Sequence, residues 1–228
     1  MSLIFDPQRL PVLSVDDHLP AVPIDRLSAH ALRERFAKPR IWTPELIAER
    51  PLGKRSPAHA SVLVPLLERD SGLTVLLTRR AEHLSDHAGQ ISFPGGRAEP
   101  HDLSPVETAL REAEEEIGLE STHVQVLGSL PTYTTVTSYI VTPVVGIVQP
   151  DFTLRLDPSE VSEVFEVPLA FLMTPAHHRR HAVGEGDEAR EFFSMPWPSH
   201  DAHGSPRSHF IWGATAAMLR NLYRFLSA

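Results

Sequence analysis

The glutamates at positions 112, 115 and 116 have the spacing that would place three carboxylates on one patch of an α-helix. Residues three and four apart are neighbours on a helix surface, so these side chains would face the same way. Like charges at this spacing repel one another, and Arg111 can relieve only part of the repulsion through its i+4 partner Glu115. A hard divalent cation relieves more, because Mg²⁺ commonly binds one or two protein carboxylates together with substrate phosphate oxygens and water. The alternative is an acidic helix face that meets only solvent.

The residues around this trio predict a helix over 105–117. Ser104 is a suitable N-cap, Pro105 is favoured at the first helical position, and Glu107 follows the cap by three residues. Gly118 can take the left-handed conformation that ends a helix. The apolar residues form one core-facing stripe opposite the trio: Val106, Ala109, Leu110, Ala113 and Ile117. This stripe, together with the glycine turn before the helix, favours a bound cation over a solvated face.

The rest of the pattern predicts strands in mixed order with helices before, between and after them. Residues 60–67 and 73–80 are strand-like runs on either side of the turn ERDSG, which indicates a β-hairpin. Further strand-like runs lie at 123–130, 138–148, 190–197 and 208–213, and 160–173 passes from a short strand into a helix. Helical patterns lie at 24–36, in a shorter stretch after Thr43, and at 214–228. These elements predict an α/β fold, a sandwich of two helical layers around a mixed β-sheet.

Length and composition are those of a soluble globular protein of 228 residues. Residues 1–58 are rich in proline and charge, and we expect them to form a helical, peripheral extension of a main domain at 59–228. A net charge of −8 argues against a nucleic-acid-binding surface, and we find no apolar run of the roughly 20 residues that a membrane span needs. Cysteine is absent, which excludes disulfides and thiol chemistry. With no secretory signal in view, we expect a cytoplasmic protein.

The nine residues from Arg111 to Leu119 resemble the second half of the Nudix box, which reads Arg-Glu-apolar-any-Glu-Glu-any-Gly-apolar. The first half of the box, a glycine and a glutamate separated by five residues, departs from that pattern. Asp102 stands where the glutamate is expected after Gly96, and eight residues rather than seven separate it from Arg111. The extra residue falls in the loop before the helix, where an insertion costs little. The resemblance implies a Nudix-type sandwich at 59–228 that hydrolyses a nucleoside diphosphate linked to another group.

A second stretch resembles the signature of the coenzyme A-directed branch of the Nudix hydrolases. Ser85 stands where that signature has its second arginine. The resemblance implies cleavage of coenzyme A, or of its acyl or oxidised derivatives, to 3′,5′-ADP and 4′-phosphopantetheine. Two alternatives stay open: a Nudix hydrolase acting on ADP-ribose, NADH or a dinucleoside polyphosphate, which Ser85 favours, and a catalytically silent nucleotide-binding domain. The residues that match the signature are Leu76, Leu77, Thr78, Arg80, Ala81, Gly89, Phe93, Pro94, Gly95 and Gly96.

The resemblance also assigns roles to the residues of the box. Glu112 and Glu116 become the leading ligands of Mg²⁺ or Mn²⁺, with Glu115 as a third or bridging ligand. Arg111 orients a glutamate by ion pairing rather than contacting substrate. Glu114, which points away from the trio, is expected to be replaceable. The general base stays open between a box glutamate and a carboxylate from a distant loop, for which Glu160 and Glu163 are the candidates.

Residues before the box are expected to bind the substrate. Consecutive strand residues point to opposite faces, so only one of Arg79 and Arg80 can reach the site, and the signature favours Arg80. The substrate-binding residues predicted in this way are Arg80, Gly95, Gly96 and Arg97.

Three further expectations concern the remainder of the chain. The histidine- and arginine-rich run at 177–181 is interpreted as a solvated loop rather than a metal or phosphate site. Phe192 and Phe193 are expected in the core, and Trp197 is available to stack on adenine. We expect a small coenzyme A-like nucleotide as the partner, no nucleic acid and no membrane, and we leave open a homodimer formed through the N-terminal segment.

Overall fold

A computed structural model describes residues 6–49, 56–84, 87–184, 186, 189–200 and 204–228. Ser85, the departure from the coenzyme A signature, lies outside these residues. Within them the strands are β1 (Ser14–Val15), β2 (Ala58–Arg69), β3 (Gly72–Arg80), β4 (Ile91–Ser92), β5 (Gly95–Arg97), β6 (Val124–Ser129), β7 (Tyr133–Thr134), β8 (Tyr139–Val148), β9 (Val161–Pro168), β10 (Arg179–Val183), β11 (Arg190–His200) and β12 (Pro206–Trp212). The α-helices are α1 (Ala29–Ala37), α2 (Pro105–Ile117), α3 (Leu169–Leu172) and α4 (Gly213–Ser227). Short 3₁₀ turns occupy Pro7–Arg9, Ile24–Leu27, Ser121–His123 and Pro175–His177.

The larger of two sheets has the strand order β4-β3-β2-β8-β6, with β5 on β2, β7 on β8 and β9 on β3. It is mixed, because β2 and β8 run parallel while the hairpin of β2 and β3 is antiparallel. The smaller sheet, with the order β1-β10-β11-β12, is antiparallel throughout. The predicted α/β fold with a mixed sheet between helices is confirmed, and so are the hairpin, the helix at 105–117 and the late strand pair. The separate second sheet was not predicted.

Each face of the larger sheet has its own apolar core. On one face Ala109, Ala113 and Ile117 of α2 pack against Leu63 and Leu76 of the hairpin. The other face is covered by α4, by the smaller sheet and by the N-terminal segment. Residues of all three layers are buried there in one cluster: Leu32, Met195, Ile211, Leu219 and Leu222. None of the helices in the described ranges is long and apolar enough to cross a membrane.

The N-terminal segment differs from its prediction in two places. The predicted helix at 24–36 is divided into a 3₁₀ turn and α1, because Ser28 interrupts it as an N-cap that accepts a hydrogen bond from the Ala31 N–H at 3.2 Å. The prediction of a shorter helix after Thr43 is wrong, since residues 43–49 contain no helix. Their backbone is held by Asn221 of α4 instead, whose side-chain oxygen accepts hydrogen bonds from the N–H groups of residues 45 and 46 at 3.0 and 3.1 Å.

The described part of the 1–58 segment is not peripheral. Val22, Leu27 and Leu32 are nearly or fully buried in the same core cluster as α4. β1 also adds an edge strand to the smaller sheet by pairing with β10. The division of the chain at residues 58 and 59 stays a prediction.

The prediction of a solvated loop at residues 177–181 is wrong. Residues from 179 onward form β10, and His178 and His181 are buried, with 0% and 2% of their surface exposed. Burial is possible because each histidine finds polar partners: His178 Nε2 lies 2.8 Å from the Leu172 carbonyl oxygen, and His181 Nε2 lies 2.8 Å from the Ser194 hydroxyl. Arg180 pairs with the Asp16 carboxylate at 3.0 Å.

Candidate active site

The helix that carries the acidic trio begins and ends where the sequence predicts. The Ser104 hydroxyl accepts a hydrogen bond from the Glu107 N–H at 3.2 Å, and the Glu107 carboxylate accepts one from the Leu103 N–H at 2.8 Å. At the other end Gly118 has φ 68°, in the left-handed region, and its N–H donates back to the Glu114 carbonyl. These two ends agree with the predicted helix at 105–117.

Glu116 is a buried carboxylate, with 3% of its surface exposed. It accepts a hydrogen bond from the Gly95 N–H at 3.2 Å, and Arg80 Nη1 lies 3.8 Å from its other oxygen. Burial raises the pKa of Glu116 to about 8. The Gly95 N–H and Arg80 oppose this rise, while the charges of Glu160 and Glu112 add to it. The two weak partners therefore leave its negative charge poorly compensated.

Glu112 lies directly against the backbone of Gly96. A Cβ atom at position 96 would be 2.5 Å from a Glu112 carboxylate oxygen, so any larger residue would displace this carboxylate from its position. Arg111 Nη2 lies 3.0 Å from the other oxygen. Burial raises the pKa of Glu112; the Arg111 charge and hydrogen bond oppose the rise, and the charges of Glu115 and Glu160 add to it.

Arg111 is held by a bidentate contact with Asp102, at 3.1 Å from Nε and 3.0 Å from Nη2. Asp102 also accepts hydrogen bonds from the Thr108 hydroxyl and the Glu99 N–H. The Arg111 hydrogen bond and the Glu99 N–H hold the pKa of Asp102 far below its usual range. Arg111 also donates a hydrogen bond to the Arg97 carbonyl at 3.1 Å, which connects the end of β5 to α2.

Sequence reasoning left Asp102 without a role. The signal was present, since five residues separate this carboxylate from Gly96, as in the box, but the extra residue before the helix obscured it. The loop before α2 accommodates the extra residue, and the Asp102 carboxylate still contacts Arg111.

The three glutamates of the trio differ in burial. Glu112 and Glu116 turn towards the glycines of β5, whereas the Glu115 side chain is 57% exposed and pairs with Arg111 Nη1 at 2.8 Å. Glu114 is exposed, as its helical position predicts. Two half-buried or buried carboxylates therefore form the centre, and Glu115 lies at its solvent edge.

The end of β3 separates its two arginines as the alternation of strand side chains requires. Arg80 faces Glu116, while Arg79 Nε contacts the Glu163 carboxylate at 2.8 Å on the other face of the sheet. The Arg97 side chain is exposed.

The structure also separates the two carboxylates proposed as distant bases. The charge of Glu160 acts on both Glu112 and Glu116, and the Glu160 carbonyl accepts a hydrogen bond from the Ala81 N–H next to Arg80. Glu163 instead belongs to the opposite face of the sheet.

The site residues on β3, β5 and α2 all lie within a part of the chain that matches a known protein family. Residues 57–184, more than half of the chain, match the family model described as the NUDIX domain. The chain belongs to the Nudix family. It is 44% identical over 166 residues to a protein named "Uncharacterized Nudix hydrolase NudL" from Escherichia coli K12, covering 72% of this chain and 80% of that protein. The protein of the same name from Photorhabdus laumondii is 41% identical over 165 residues, with coverages of 72% and 82%.

Solved Nudix structures are also similar to this chain. The Nudix hydrolase RenU from M. smegmatis is 21% identical, with a TM-score of 0.43, and the match covers 51% of this chain and 73% of that one. This chain is a Nudix hydrolase, an enzyme that acts on phosphoanhydride bonds, and Nudix hydrolases generally use divalent metals.

The carboxylates of this site suit a hard divalent cation. Burial and mutual repulsion disfavour the ionised forms of Glu112 and Glu116, and a nearby cation would favour those forms. In the described part of the chain no three histidine or acidic side chains are grouped as a complete metal site. Glu112 and Glu116 would be the leading protein ligands, and substrate oxygens and water commonly complete the coordination of Mg²⁺.

Proposed function

We propose that this Nudix hydrolase cleaves the diphosphate of coenzyme A, or of its acyl or oxidised derivatives, to 3′,5′-ADP and 4′-phosphopantetheine. The observation that carries the proposal is the signature-like stretch from Leu76 to Gly96, which begins on β3 and ends in the turn against the acidic centre. Its arginine, Arg80, lies 3.8 Å from Glu116, and its last two glycines contact Glu116 and Glu112. These contacts support a single site that selects the substrate and carries the acidic residues.

In this proposal Glu112 and Glu116 would hold Mg²⁺ or Mn²⁺, and Glu115, at the solvent edge, would be a third or bridging ligand. A metal held there would neutralise charge on the pyrophosphate and would lower the pKa of an attacking water. Arg111 orients Glu112 through their 3.0 Å contact, and Asp102 holds Arg111 in turn. Neither Arg111 nor Asp102 needs to touch the substrate.

Arg80, Gly95, Gly96 and Arg97 are the proposed substrate contacts. Arg80 has a guanidinium beside the acidic centre, and its Nε is buried with no hydrogen-bond partner among the described residues. An arginine in this situation suits a phosphate oxygen. The exposed side chain of Arg97 is available at the entrance to the site.

Glu160 is the proposed general base. Of the two carboxylates predicted for this role, it is the one whose charge acts on both central glutamates. Glu163 already accepts hydrogen bonds from Arg79, Arg207 and His209, which occupy both of its oxygens.

Product analysis with coenzyme A and Mg²⁺ or Mn²⁺ tests the proposal. We expect equimolar 3′,5′-ADP and 4′-phosphopantetheine from the wild type. Glu112→Gln should reduce kcat at least a hundredfold, because it removes a carboxylate that would hold the metal. Glu114→Gln is the matched control, a neutralised glutamate on the same helix with its side chain in solvent, and it should keep wild-type activity.

The rival substrates are other nucleoside diphosphate derivatives, which Ser85 favours because it removes one cation from the signature. Rates with ADP-ribose, NADH and a dinucleoside polyphosphate should be measured beside coenzyme A at the same metal concentration. Faster turnover of ADP-ribose than of coenzyme A would overturn our choice of substrate. The homodimer and the cytoplasmic location stay predictions.

A further inference from the structure

A second cluster of charged residues lies on the face of β3 opposite the acidic centre. It consists of Arg79, Glu163, Arg207 and His209, and we call it the Glu163 cluster. Arg79 Nε and Arg207 Nη2 contact the same oxygen of Glu163, at 2.8 and 3.0 Å, and His209 Nε2 lies 3.0 Å from the other oxygen. Three basic side chains from two strands, β3 and β12, therefore surround one carboxylate of β9.

The Glu163 cluster carries more positive than negative charge. His209 is buried, with 4% of its surface exposed, and its ring is stacked on Phe165 at 3.7 Å. Burial lowers the pKa of His209, and the contact with Glu163 offsets this only in part, so the imidazole is neutral near pH 7. Two guanidinium groups then share one carboxylate, which leaves one positive charge without a counter-charge inside the cluster.

The two arginines also have donors to spare. Each guanidinium has five N–H groups. Among the described residues, the hydrogen bonds of these side chains use Nε of Arg79 and Nη2 of Arg207. Because both groups contact one oxygen of Glu163, they are neighbours and can act as a pair towards a single anion.

The position of the cluster relates it to the reaction. Arg79 precedes Arg80 on β3, so the two guanidiniums leave the same end of the same strand on opposite faces. Arg80 lies against Glu116 of the acidic centre. A substrate whose pyrophosphate occupies that centre could place another phosphate on the far side of the strand end.

We propose that Arg79 and Arg207 bind a phosphate monoester on the nucleoside of the substrate, and thereby select coenzyme A over analogues that lack the 3′-phosphate. Glu163 and His209 are positioning residues, which hold the two guanidiniums together. This inference rests on the proposed function, since it concerns the same substrate. It also accounts for phosphate recognition in a chain that has serine at the second arginine of the signature.

The test compares coenzyme A with dephospho-coenzyme A, which differs only in the 3′-phosphate. For the wild type we expect a KM lower by about tenfold or more for coenzyme A, which corresponds to one charge-assisted contact. Arg207→Gln should abolish this preference by raising the KM for coenzyme A, with kcat and the KM for dephospho-coenzyme A unchanged. Arg207 is suitable because its side chain is 36% exposed, so its loss leaves the core intact.

Arg179→Gln is the matched control, because it removes one positive charge from an exposed position on β10 of the same sheet. It should leave the ratio of the two KM values at its wild-type level. A cluster with only a structural role would instead change both substrates equally in Arg207→Gln, or neither, and either result overturns the inference.

Failure of the coenzyme A proposal would be recognised separately, as absence of hydrolysis of both substrates by the wild type. The Glu163 cluster would then be tested by calorimetric binding of 3′,5′-ADP and 5′-AMP. Tighter binding of 3′,5′-ADP by about tenfold, lost in Arg207→Gln, would support the cluster as a phosphate site. Equal affinities for the two nucleotides would overturn it.

Discussion

The carboxyl group of Glu116 is buried where its charged form is disfavoured. The free energy of unfolding should therefore depend on the ionisation of this group. Burial raises its pKa from the ordinary 4.5 to about 8. Between these two pH values the unfolded carboxylate is ionised while the folded one keeps its proton. The contribution of Glu116 to stability is therefore present below pH 4.5 and is lost as the pH rises to about 8.

Glu116→Gln should consequently stabilise the metal-free protein at pH 8, by roughly 1 to 3 kcal/mol, while abolishing turnover. Urea denaturation in the presence of EDTA at pH 5 and pH 8 measures this. The gain should be much smaller at pH 5, where the wild-type carboxyl is protonated. A variant that is equally stabilised at both pH values would contradict the assigned cause.

At the scale of elements, the turn that forms β5 brings the backbone close to two different neighbours. At Gly96 the neighbour is the end of a side chain, the Glu112 carboxylate. At Gly95 it is backbone, since an added Cβ would lie 2.4 Å from the Ser61 carbonyl oxygen of β2. Gly95 also has φ 154°, which strains any other residue.

Two alanine substitutions should therefore have different consequences. Gly96→Ala should displace Glu112 and reduce kcat by at least tenfold, with a loss of stability of about 1 kcal/mol or less, because a flexible side chain can move. Gly95→Ala should destabilise the fold by about 2 kcal/mol or more, because β5 must leave its register on β2. Thermal unfolding and steady-state kinetics of the two variants distinguish these effects. An equal loss of stability in the two variants would show that the Glu112 side chain does not move away from the added methyl group.

Over the whole molecule, a buried ionic network attaches the N-terminal segment to α4. Arg220 is 1% exposed and contacts Asp16 at 2.9 Å, Glu45 at 2.7 Å and His178 Nδ1 at 3.0 Å. A buried guanidinium is costly unless it is paired, so α4 depends on carboxylates from the first 49 residues. His178 accepts from Arg220 through Nδ1 and donates to the Leu172 carbonyl through Nε2, which requires the neutral ring.

The buried histidine predicts an acid-sensitive fold. Burial lowers the pKa of His178 to about 4, with the Arg220 charge adding to this and the Leu172 carbonyl and Asp16 opposing it. Between pH 6.5 and about 4 the unfolded state binds a proton that the folded state does not, so stability falls as the pH is lowered through this window. The loss should approach about 1.4 kcal/mol per pH unit from this residue.

Urea denaturation of wild type and His178→Gln at intervals from pH 7 to pH 4.5 measures that slope. We expect the variant to be less stable at pH 7 and to have a shallower pH dependence. His59→Gln is the matched control, because His59 is an exposed histidine of β2. An unchanged slope in His178→Gln would assign the acid sensitivity to other groups.

The sequence by itself determined the features that depend on residues close together in the chain. The cap at Ser104, the stop at Gly118 and the apolar stripe of α2 depend on residues within one helix, and the structure has them where they were predicted. The box and the signature lie in one continuous stretch, so the family was recognisable as well. The opposite directions of Arg79 and Arg80 follow from strand alternation.

Tertiary structure alone decided which charges meet. It left Glu115 exposed while it buried Glu116, and it paired Asp102 with Arg111. It also buried His178 in a run that looks solvated and brought Arg207 to Glu163. These outcomes depend on loop paths and on contacts between residues far apart in the chain. A polar side chain is buried or exposed according to the partners it meets there, and the local sequence does not specify those partners.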